Sequence, residues 1–459
     1  MSNFLFPIET TARELDHKIL MAILAAKEGR NIFVGDQQII RTLSFLLKGG
    51  VFYGKHLFGK PSFSDKTYYN RLKSRGFKLV HLNEEGAVWP GKEFEWKNIL
   101  KQCERPSQLS KDDFLATWGR WQKEFNESYE PTEATICTTG HPRFDLYSER
   151  YRRYFLEDTK KINDDFGDFI LINTAFSYSN NGEGGVGFIF KPNVAYDTNN
   201  EDHRKYRFKR WKQQMFSIAD IVDLVNKISL VYPDKKIVIR PHPSEDSSYY
   251  ESIFQNIDNV SVVYKGAVTP WILACKLMIH NGCTTAIEAT LANKPVINYS
   301  TNPDPDFDVY LANICGFTTD CSDEALNYVE RAYQGSINVM MPKDKFANSL
   351  FHNFETDQSC YEVIQLLSKA DELNNNSSTT LSNINLKLVG LYHELYLFFK
   401  YSYLSFVGRN KDAVDYKKRF EKFDEIDISN RVNLLSKILK ISVKVKFVSR
   451  HVFVITKDL

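Results

Sequence analysis

The sequence predicts two doubly wound α/β domains, each on its own parallel sheet, and three observations carry that expectation. Short β-branched runs alternate with helical patterns over about the first 300 residues, as chains of βαβ units do. Several of those runs end in glycine, His-Pro or small-residue turns, at the strand edge where open parallel sheets bind ligands. The 459 residues, 43% hydrophobic and 25% charged, suffice for two to three domains with cores of their own.

The elements follow in order. A helix is expected over 11–28, a strand over 31–34, a helix from 37, and strands over 51–53, 78–82 and 135–138, with helices over 64–75 and 111–129. Together they form an N-terminal domain, residues 1–160. A charged helical stretch over 148–165 leads into a strand over 169–173, which opens a second domain, residues 161–370. Its Asn- and Gly-rich segment 177–201 reads as a long loop, of a kind that serves as a lid or lacks order. A helix over 207–232, strands over 236–240, 260–264, 277–280 and 295–299, and a helix over 285–292 complete the domain. A polar linker over 371–382 then precedes a helical, aromatic and finally basic stretch, 383–459, expected as an appendage.

The balance of 59 basic and 57 acidic residues, a formal charge of +2, gives no global field of the kind that marks a nucleic-acid binder. Seven cysteines without a CxxC pair read as reduced cytosolic thiols. The first residues lack the basic and apolar regions of a signal peptide. No window reaches the roughly 18 apolar residues of a membrane span; the nearest, 386–407, is interrupted by Lys387, His393, Glu394 and Lys400. A cytoplasmic protein is expected, with any membrane contact peripheral, on the cytoplasmic face of the inner membrane. Two segments suit such contact: the basic-aromatic run 203–212, and the tail carrying Lys437, Lys440, Lys444, Lys446 and Arg450. The first reads equally as a solvated helix face and the second as a lysine-edged strand.

Four motifs carry candidate chemistry. The strand ending at Arg240 continues Pro-His-Pro-Ser-Glu, so Arg240, His242 and Ser244 stand at a strand's C-terminal edge, where His242 can donate to a phosphate on a leaving nucleotide. After the strand over 277–280, the turn His280-Asn281-Gly282-Cys283-Thr284-Thr285 opens a helix whose amides and hydroxyls suit an anion. Glu288, one turn in, suits a ribose hydroxyl or the helix dipole; His280 reads as a ligand contact or a satisfied core residue. In the first domain Glu84 and Glu85 crowd before Gly86, which suits a general base or a solvated turn. The turn Thr139-Gly140-His141-Pro142-Arg143-Phe144-Asp145 places Arg143 to hold a carboxylate, or to pair with Asp145. Arg13, Glu14 and Asp16 follow a helix entrance capped by Thr10 or Thr11, facing the ligand cleft or serving the helix itself. No acidic DxD motif stands at a strand end, so no metal is expected.

These stretches, together with 169–174 and the Pro270-Trp-Ile-Leu-Ala274 segment before His280, resemble the bacterial surface carbohydrate biosynthesis protein family. The likeness runs in order from about residue 11 to 299. More distantly, an acidic pair before glycine in one domain, and His-Pro plus paired hydroxyls in the other, are similar to bacterial GT-B sialyltransferases and Kdo transferases. The resemblance implies two Rossmann-like domains facing a central cleft. It implies transfer of an acidic sugar, a nonulosonic acid or Kdo, from a CMP-activated donor to a glycan or glycolipid acceptor, with no cofactor besides the donor substrate. Glu84 or Glu85 would act as base, His242 would contact the CMP phosphate, and Thr284 and Thr285 would bind it. If the enzyme retained configuration, Asp145 or Glu14 would be needed in further roles. The rival readings are a CDP-polyol phosphotransferase, a UDP-sugar epimerase or hexosyltransferase of similar fold, and a non-catalytic glycan-assembly scaffold.

Overall fold

The computed structural model describes residues 2–55, 57–58, 67–86, 88–193, 196–264, 266–342, 345–353, 356–374, 378–379, 381–407, 416 and 419–458. The chain divides into two compact units, one of residues 1–87, 98–154 and 348–459, the other of residues 88–97 and 155–347.

The first unit is built on an eight-stranded sheet. Its strands are β1 (Asn3–Ile8), β2 (Asn31–Asp36), β3 (Gly50–Gly54), β4 (Phe77–Leu82), β5 (Phe114–Thr117), β6 (Thr135–Thr138), β13 (Val443–Ser449) and β14 (Val452–Lys457). They run in the order β13-β14-β2-β1-β3-β4-β5-β6. The six N-terminal strands are mutually parallel, and the C-terminal hairpin adds antiparallel to β2. Strand β1, with no turn before it to announce it, went unread in the sequence. The segment 111–129, expected as one helix, divides into β5 and a helix Arg120–Tyr129; Gly119 makes the break, since a β-carbon there would meet the Leu350 backbone at 2.2 Å. The helix expected over 64–75 is observed as Thr67–Ser74, its expected start lying outside the described residues.

The stretch 383–459 does not stand apart as an appendage. Val452, Phe453, Val454 and Ile455 are buried in the sheet, and Leu386 and Val448 join the same core as Leu5, Phe33 and Phe52. Burial of each such side chain contributes about 1.5–3 kcal/mol. Helix Asn383–Phe406 crosses the hairpin at Gly390, where a β-carbon would lie 2.7 Å from the Val448 carbonyl oxygen. Helix Glu425–Leu439 packs on helix Thr11–Ala26, and Arg431 joins Asp16 at 2.8 Å. Lys444 and Lys446 thus stand on the edge strand β13, whereas Lys437 lies in helix Glu425–Leu439 and Lys440 closes it. Helix Ser359–Glu372, expected in the second domain, also belongs to the first unit.

The second unit is a six-stranded sheet of β7 (Phe169–Asn173), β8 (Lys236–Arg240), β9 (Val260–Val262), β10 (Leu277–His280), β11 (Val296–Tyr299) and β12 (Phe317–Thr319). All pairings are parallel. The order β12-β11-β10-β7-β8-β9 is the Rossmann order, 3-2-1-4-5-6 when the strands are counted within the unit. Both units are therefore Rossmann-like. The inner residues of strands β7, β8 and β10 are apolar because both sheet faces are covered; Ile170, Ile172, Ile237, Ile239, Leu277 and Ile279 meet Ile221, Leu224 and Ile228 of helix Glu201–Val231.

Part of the basic-aromatic run 203–212 is engaged inside this unit. Arg207 is buried between Tyr178 and Tyr196, its guanidinium 5.3 and 4.8 Å from the rings. Arg210 covers Tyr178 at 4.3 Å, and Lys209 pairs with Asp304 and Asp306. Arg204, Lys205, Tyr206, Phe208 and Lys212 stay exposed, so the run is a partly solvated helix face. No helix among the described residues is long and apolar enough to cross a membrane.

Candidate functional site

In the second unit the sheet reverses direction of growth between β7 and β10, and the C-terminal ends of these strands and of β8 bring three loops together. Asn173, the last residue of β7, donates from Nδ2 to Thr285 Oγ1 at 2.9 Å. Its neighbour Thr174 donates to Glu245 at 2.8 Å. Glu245 also accepts from the amides of Phe176 and His242, at 3.0 and 3.2 Å, and from the Tyr250 hydroxyl at 2.6 Å. One buried carboxylate thus ties the β7 loop to the His-Pro turn. Burial pushes its pKa up, against those hydrogen bonds.

His242 is exposed and its ring is oriented locally. Nδ1 accepts the Ser244 amide at 3.2 Å and lies 2.6 Å from Ser244 Oγ. In the neutral ring the proton therefore sits on Nε2, which makes that nitrogen a donor. Arg240 is buried, donates to the Gly266 carbonyl at 2.9 Å and lies 5.0 Å from the Trp271 ring centre; burial lowers its pKa to about 10. At the β10 turn Gly282 takes φ +64°, the region that glycine enters without strain. Asn281 donates to the Tyr299 carbonyl, and Thr285 meets Cys283 Sγ at 3.0 Å. Thr284 precedes helix Thr285–Leu291 without capping it through its side chain. Glu288 is buried one turn in. His280 is fully buried, accepting the Cys283 amide at Nδ1, and burial lowers its pKa to about 3; it shapes the turn from inside.

The segment expected as a long loop or lid is anchored on this edge. Asn180 donates to the Asp246 carbonyl, and the Gly182 amide to that of Ser244. A β-carbon on Gly182 would lie 2.7 Å from the Glu245 carbonyl oxygen, so glycine permits the close approach. A short helix, Gly185–Ile189, follows.

In the first unit, Glu84, Glu85 and His141 come together at the C-terminal ends of β4 and β6 with Arg13 beside Glu85, whereas Asp16 pairs with Arg431 and Tyr154. Asn83 accepts the Trp118 indole N–H at 2.8 Å, and a β-carbon on Gly86 would lie 2.4 Å from that indole. The tight fit separates the two glutamates. Glu84 turns inward, 3.0 Å from His141 Nε2, 3.5 Å from Lys18 Nζ and 3.8 Å from His17 Nε2. Burial opposes its ionisation, yet Lys18 and the two histidines hold the carboxyl well below the usual range. Glu85 turns out, its side chain 64% exposed and 2.8 Å from Arg13. Desolvation raises its pKa, but Arg13, with Lys55 and Arg143 behind it, holds it below the usual range.

By distance, His17, Glu84 and His141 could surround a metal ion, their ligand atoms lying within 4.8 Å of one another. The chemistry of His141 points elsewhere. Its Nδ1 accepts the Arg143 amide at 3.1 Å, so the neutral ring carries its proton on the Nε2 that faces Glu84. A metal-binding imidazole does the reverse, donating from the far nitrogen. The trio is a buried cluster, with His141 lowered to about 4 and His17 well below its usual value, both chiefly by burial.

Other candidates take structural parts. Glu14 accepts the amides of Glu9 and Thr10, pairs with Lys18 at 2.6 Å and is reached by Lys55 at 3.2 Å. The expected cap at Thr10 makes no side-chain bond; Glu14 reaches back to serve that helix end. Asp145 accepts the Ser359 and Cys360 amides at 3.2 and 2.7 Å, capping helix Ser359–Glu372, and burial lifts its pKa to about 7. Gly140, at φ +70°, brings the turn against Ser359 and His352. Arg143 lies against the Phe144 ring at 4.9 Å. These engagements leave Glu14 and Asp145 ill placed for a nucleophile's part. The sequence reading missed His17, Lys18, Tyr53, Asn173 and Thr174. His17 and Lys18, titratable residues running directly into the apolar stretch 19–26, were the available signal. The buried Tyr53 hydroxyl meets no hydrogen-bond partner among the described residues.

No protein-family model and no curated protein matches the chain. Among solved structures, it is similar to S. aureus MnaA with UDP, at TM-score 0.47 and 11% identity over 83% of this chain and 100% of that one. It is similar to the Methanocaldococcus jannaschii UDP-GlcNAc 2-epimerase with UDP-GlcNAc and UDP, at TM-score 0.45 and 11% identity over 80% and 99%. The wall teichoic acid polymerase TagF follows at TM-score 0.44 and 12% identity over 82% and 90%.

Proposed function

We propose that this chain is a nucleotide-sugar-dependent glycosyltransferase of bacterial surface glycan assembly, using a CMP-activated nonulosonic acid or Kdo as donor. The observation that carries the reading is the convergence of Asn173, the His242 turn and Thr285 at the β7/β10 reversal, the edge where Rossmann sheets take nucleotides. His242, with Nδ1 held by Ser244, offers Nε2–H to the phosphate. Arg240 adds positive charge behind it.

The chemistry divides between the units. In the first, Glu85 rather than Glu84 is the base: it is ionised, exposed and steered by Arg13, whereas Glu84 is buried and committed to Lys18 and His141. Glu85 takes the proton of an acceptor hydroxyl as its oxygen bonds to the anomeric carbon. The bond from that carbon to the CMP phosphate breaks, and the phosphate leaves with the electron pair, stabilised by the His242 hydrogen bond. Configuration inverts.

Calorimetry of CMP, CDP, UMP, UDP and GDP on the protein and its His242→Ala variant tests the donor assignment. Preferential CMP binding, weakened by about tenfold or more in the variant as expected for a lost hydrogen bond to a charged group, is the expected result. Preference for UDP or GDP moves the reading to an epimerase or hexosyltransferase, preference for CDP to polyol phosphate transfer, and no binding to a scaffold.

A further inference from the structure

The sheet of the first unit has a reversal of its own. From β1 the chain adds β2 on one side and then crosses to add β3 on the other, and the crevice at the C-terminal ends of such a strand pair is where a doubly wound sheet takes a ligand. A cavity of about 650 Å³, the size of a small-molecule site, lies there, walled entirely by the first unit. Glu9 and Lys55, which follow β1 and β3, line one side of it. Helix Gln37–Leu46 contributes Arg41 and Phe45, and helix Asn383–Phe406 contributes Tyr396 and Lys400. Glu84 and Glu85 stand outside its walls.

The charged side chains of the cavity fall into two groups. Glu14 pairs with Lys18 at 2.6 Å and Lys55 at 3.2 Å, and Glu9 pairs with Lys55 at 2.8 Å. These carboxylates and lysines satisfy one another. Arg41 lies over the Tyr68 ring at 4.7 Å and Lys400 donates to Gln38 at 3.2 Å; among the described residues neither meets a carboxylate. Gln38 and Arg41 are three residues apart on one helix and so share a face, which places the Lys400 ammonium, held at Gln38, on the same face as the guanidinium. A guanidinium fork beside an ammonium suits an oxyanion. Two spare positive charges match a phosphate monoester, which carries nearly two negative charges at neutral pH; a carboxylate would leave one of them uncompensated. Phe45, Tyr68, Tyr392 and Tyr396 also line the cavity and offer ring faces to the body of a ligand.

We propose that this cavity binds the phosphate monoester of a ring compound, with the phosphate at Arg41 and Lys400 and the ring among Phe45, Tyr68, Tyr392 and Tyr396. The site lies apart from the nucleotide edge of the second unit, and the proposal does not rest on the glycosyltransferase reading. One wall comes from the sheet and its helix Gln37–Leu46, and the other from helix Asn383–Phe406. A ligand held between them clamps the C-terminal helix to the sheet.

Calorimetry of the full chain with phenyl phosphate as probe tests the site. Binding is expected in the parent, weaker by about tenfold or more in an Arg41→Ala, Lys400→Ala variant whose melting matches the parent, as for lost charge-assisted hydrogen bonds, and unchanged in His242→Ala. No binding in the parent, equal binding in the double variant, or binding lost in His242→Ala overturns the proposal. Inorganic phosphate binding as tightly as phenyl phosphate also overturns it, since the rings then contribute nothing. Hydrogen exchange on the unsubstituted chain supplies a test that needs no variant. Phenyl phosphate should protect segments 37–46 and 392–400 together, whereas protection at 240–246 and 280–288 would put the probe on the second unit and sink the idea. These readouts involve neither donor nor transfer, so failure of the donor assignment leaves them intact.

Discussion

Glu84 and Glu85 are neighbours in sequence with opposite fates, and their substitution separates structure from chemistry. Glu84→Gln leaves Lys18 and two buried histidines around a neutral amide, so the first unit should lose about 3–5 kcal/mol, the usual cost of breaking a buried charged network, measured by urea unfolding. Glu85→Gln removes an exposed pair with Arg13 worth about 0–1 kcal/mol, while CMP release at saturating donor should fall by about 10²–10⁴-fold, the range of a lost general base. The pH dependence follows from the same contacts. The active form of Glu85 is the carboxylate, and Arg13 holds its pKa below the usual glutamate value of about 4.3. Activity is therefore full above that lowered pKa and is lost as pH falls through it. In Arg13→Ala only the weaker pull of Lys55 and Arg143 still opposes desolvation, and the acid limb of kcat/KM moves to higher pH. An unmoved limb removes Glu85 from the role.

Among the elements, the C-terminal hairpin is the one whose meaning changed most between sequence and structure. A tail of alternating lysines and apolar residues has the composition of a membrane-surface segment and of a lysine-edged strand alike, and only the presence of β2 as a pairing edge distinguishes them. Phe453→Ala should destabilise the first unit by about 3–5 kcal/mol, read as lost protection from hydrogen exchange in β2 and β14 together. A freely appended tail would leave β2 unchanged. The parallel strands β4, β6, β7, β8 and β10 were legible because each is a short apolar run closed by a polar or glycine turn. Strand β5 was not, because its Phe-Leu-Ala-Thr run merges into the helical pattern after Gly119. The same limit applies to the sites. The loops at strand ends announced Arg240 to Glu245 and Glu84 to Asp145, but the sequence could not say which carboxylate turns inward. That choice depends on Trp118 and Lys18, which lie on other elements. Asp145 shows it from the other side, since the Ser359 and Cys360 amides that claim it come from more than 200 residues away in the chain.

At the scale of the whole molecule, the proposed division of labour makes a prediction that activity alone cannot make. If the second unit alone binds the nucleotide, ligand at about 100-fold its Kd stabilises that unit by about 2.7 kcal/mol. The protection from hydrogen exchange should concentrate at the ends of β7, β8 and β10, in segments 173–176, 240–246 and 280–288. The turn at Glu84 and Glu85 and the hairpin of β13 and β14 should exchange at their unliganded rates. The His242→Ala protein should show the same pattern at reduced occupancy, because Glu245, through Thr174 and Tyr250, still holds the loops in place. Glu245→Ala should instead disperse the protection even when ligand is raised to saturation, since the β7 loop and the His-Pro turn lose their common anchor. Protection centred on segment 77–86 would place the nucleotide on the first unit, and the roles assigned to the two units would exchange.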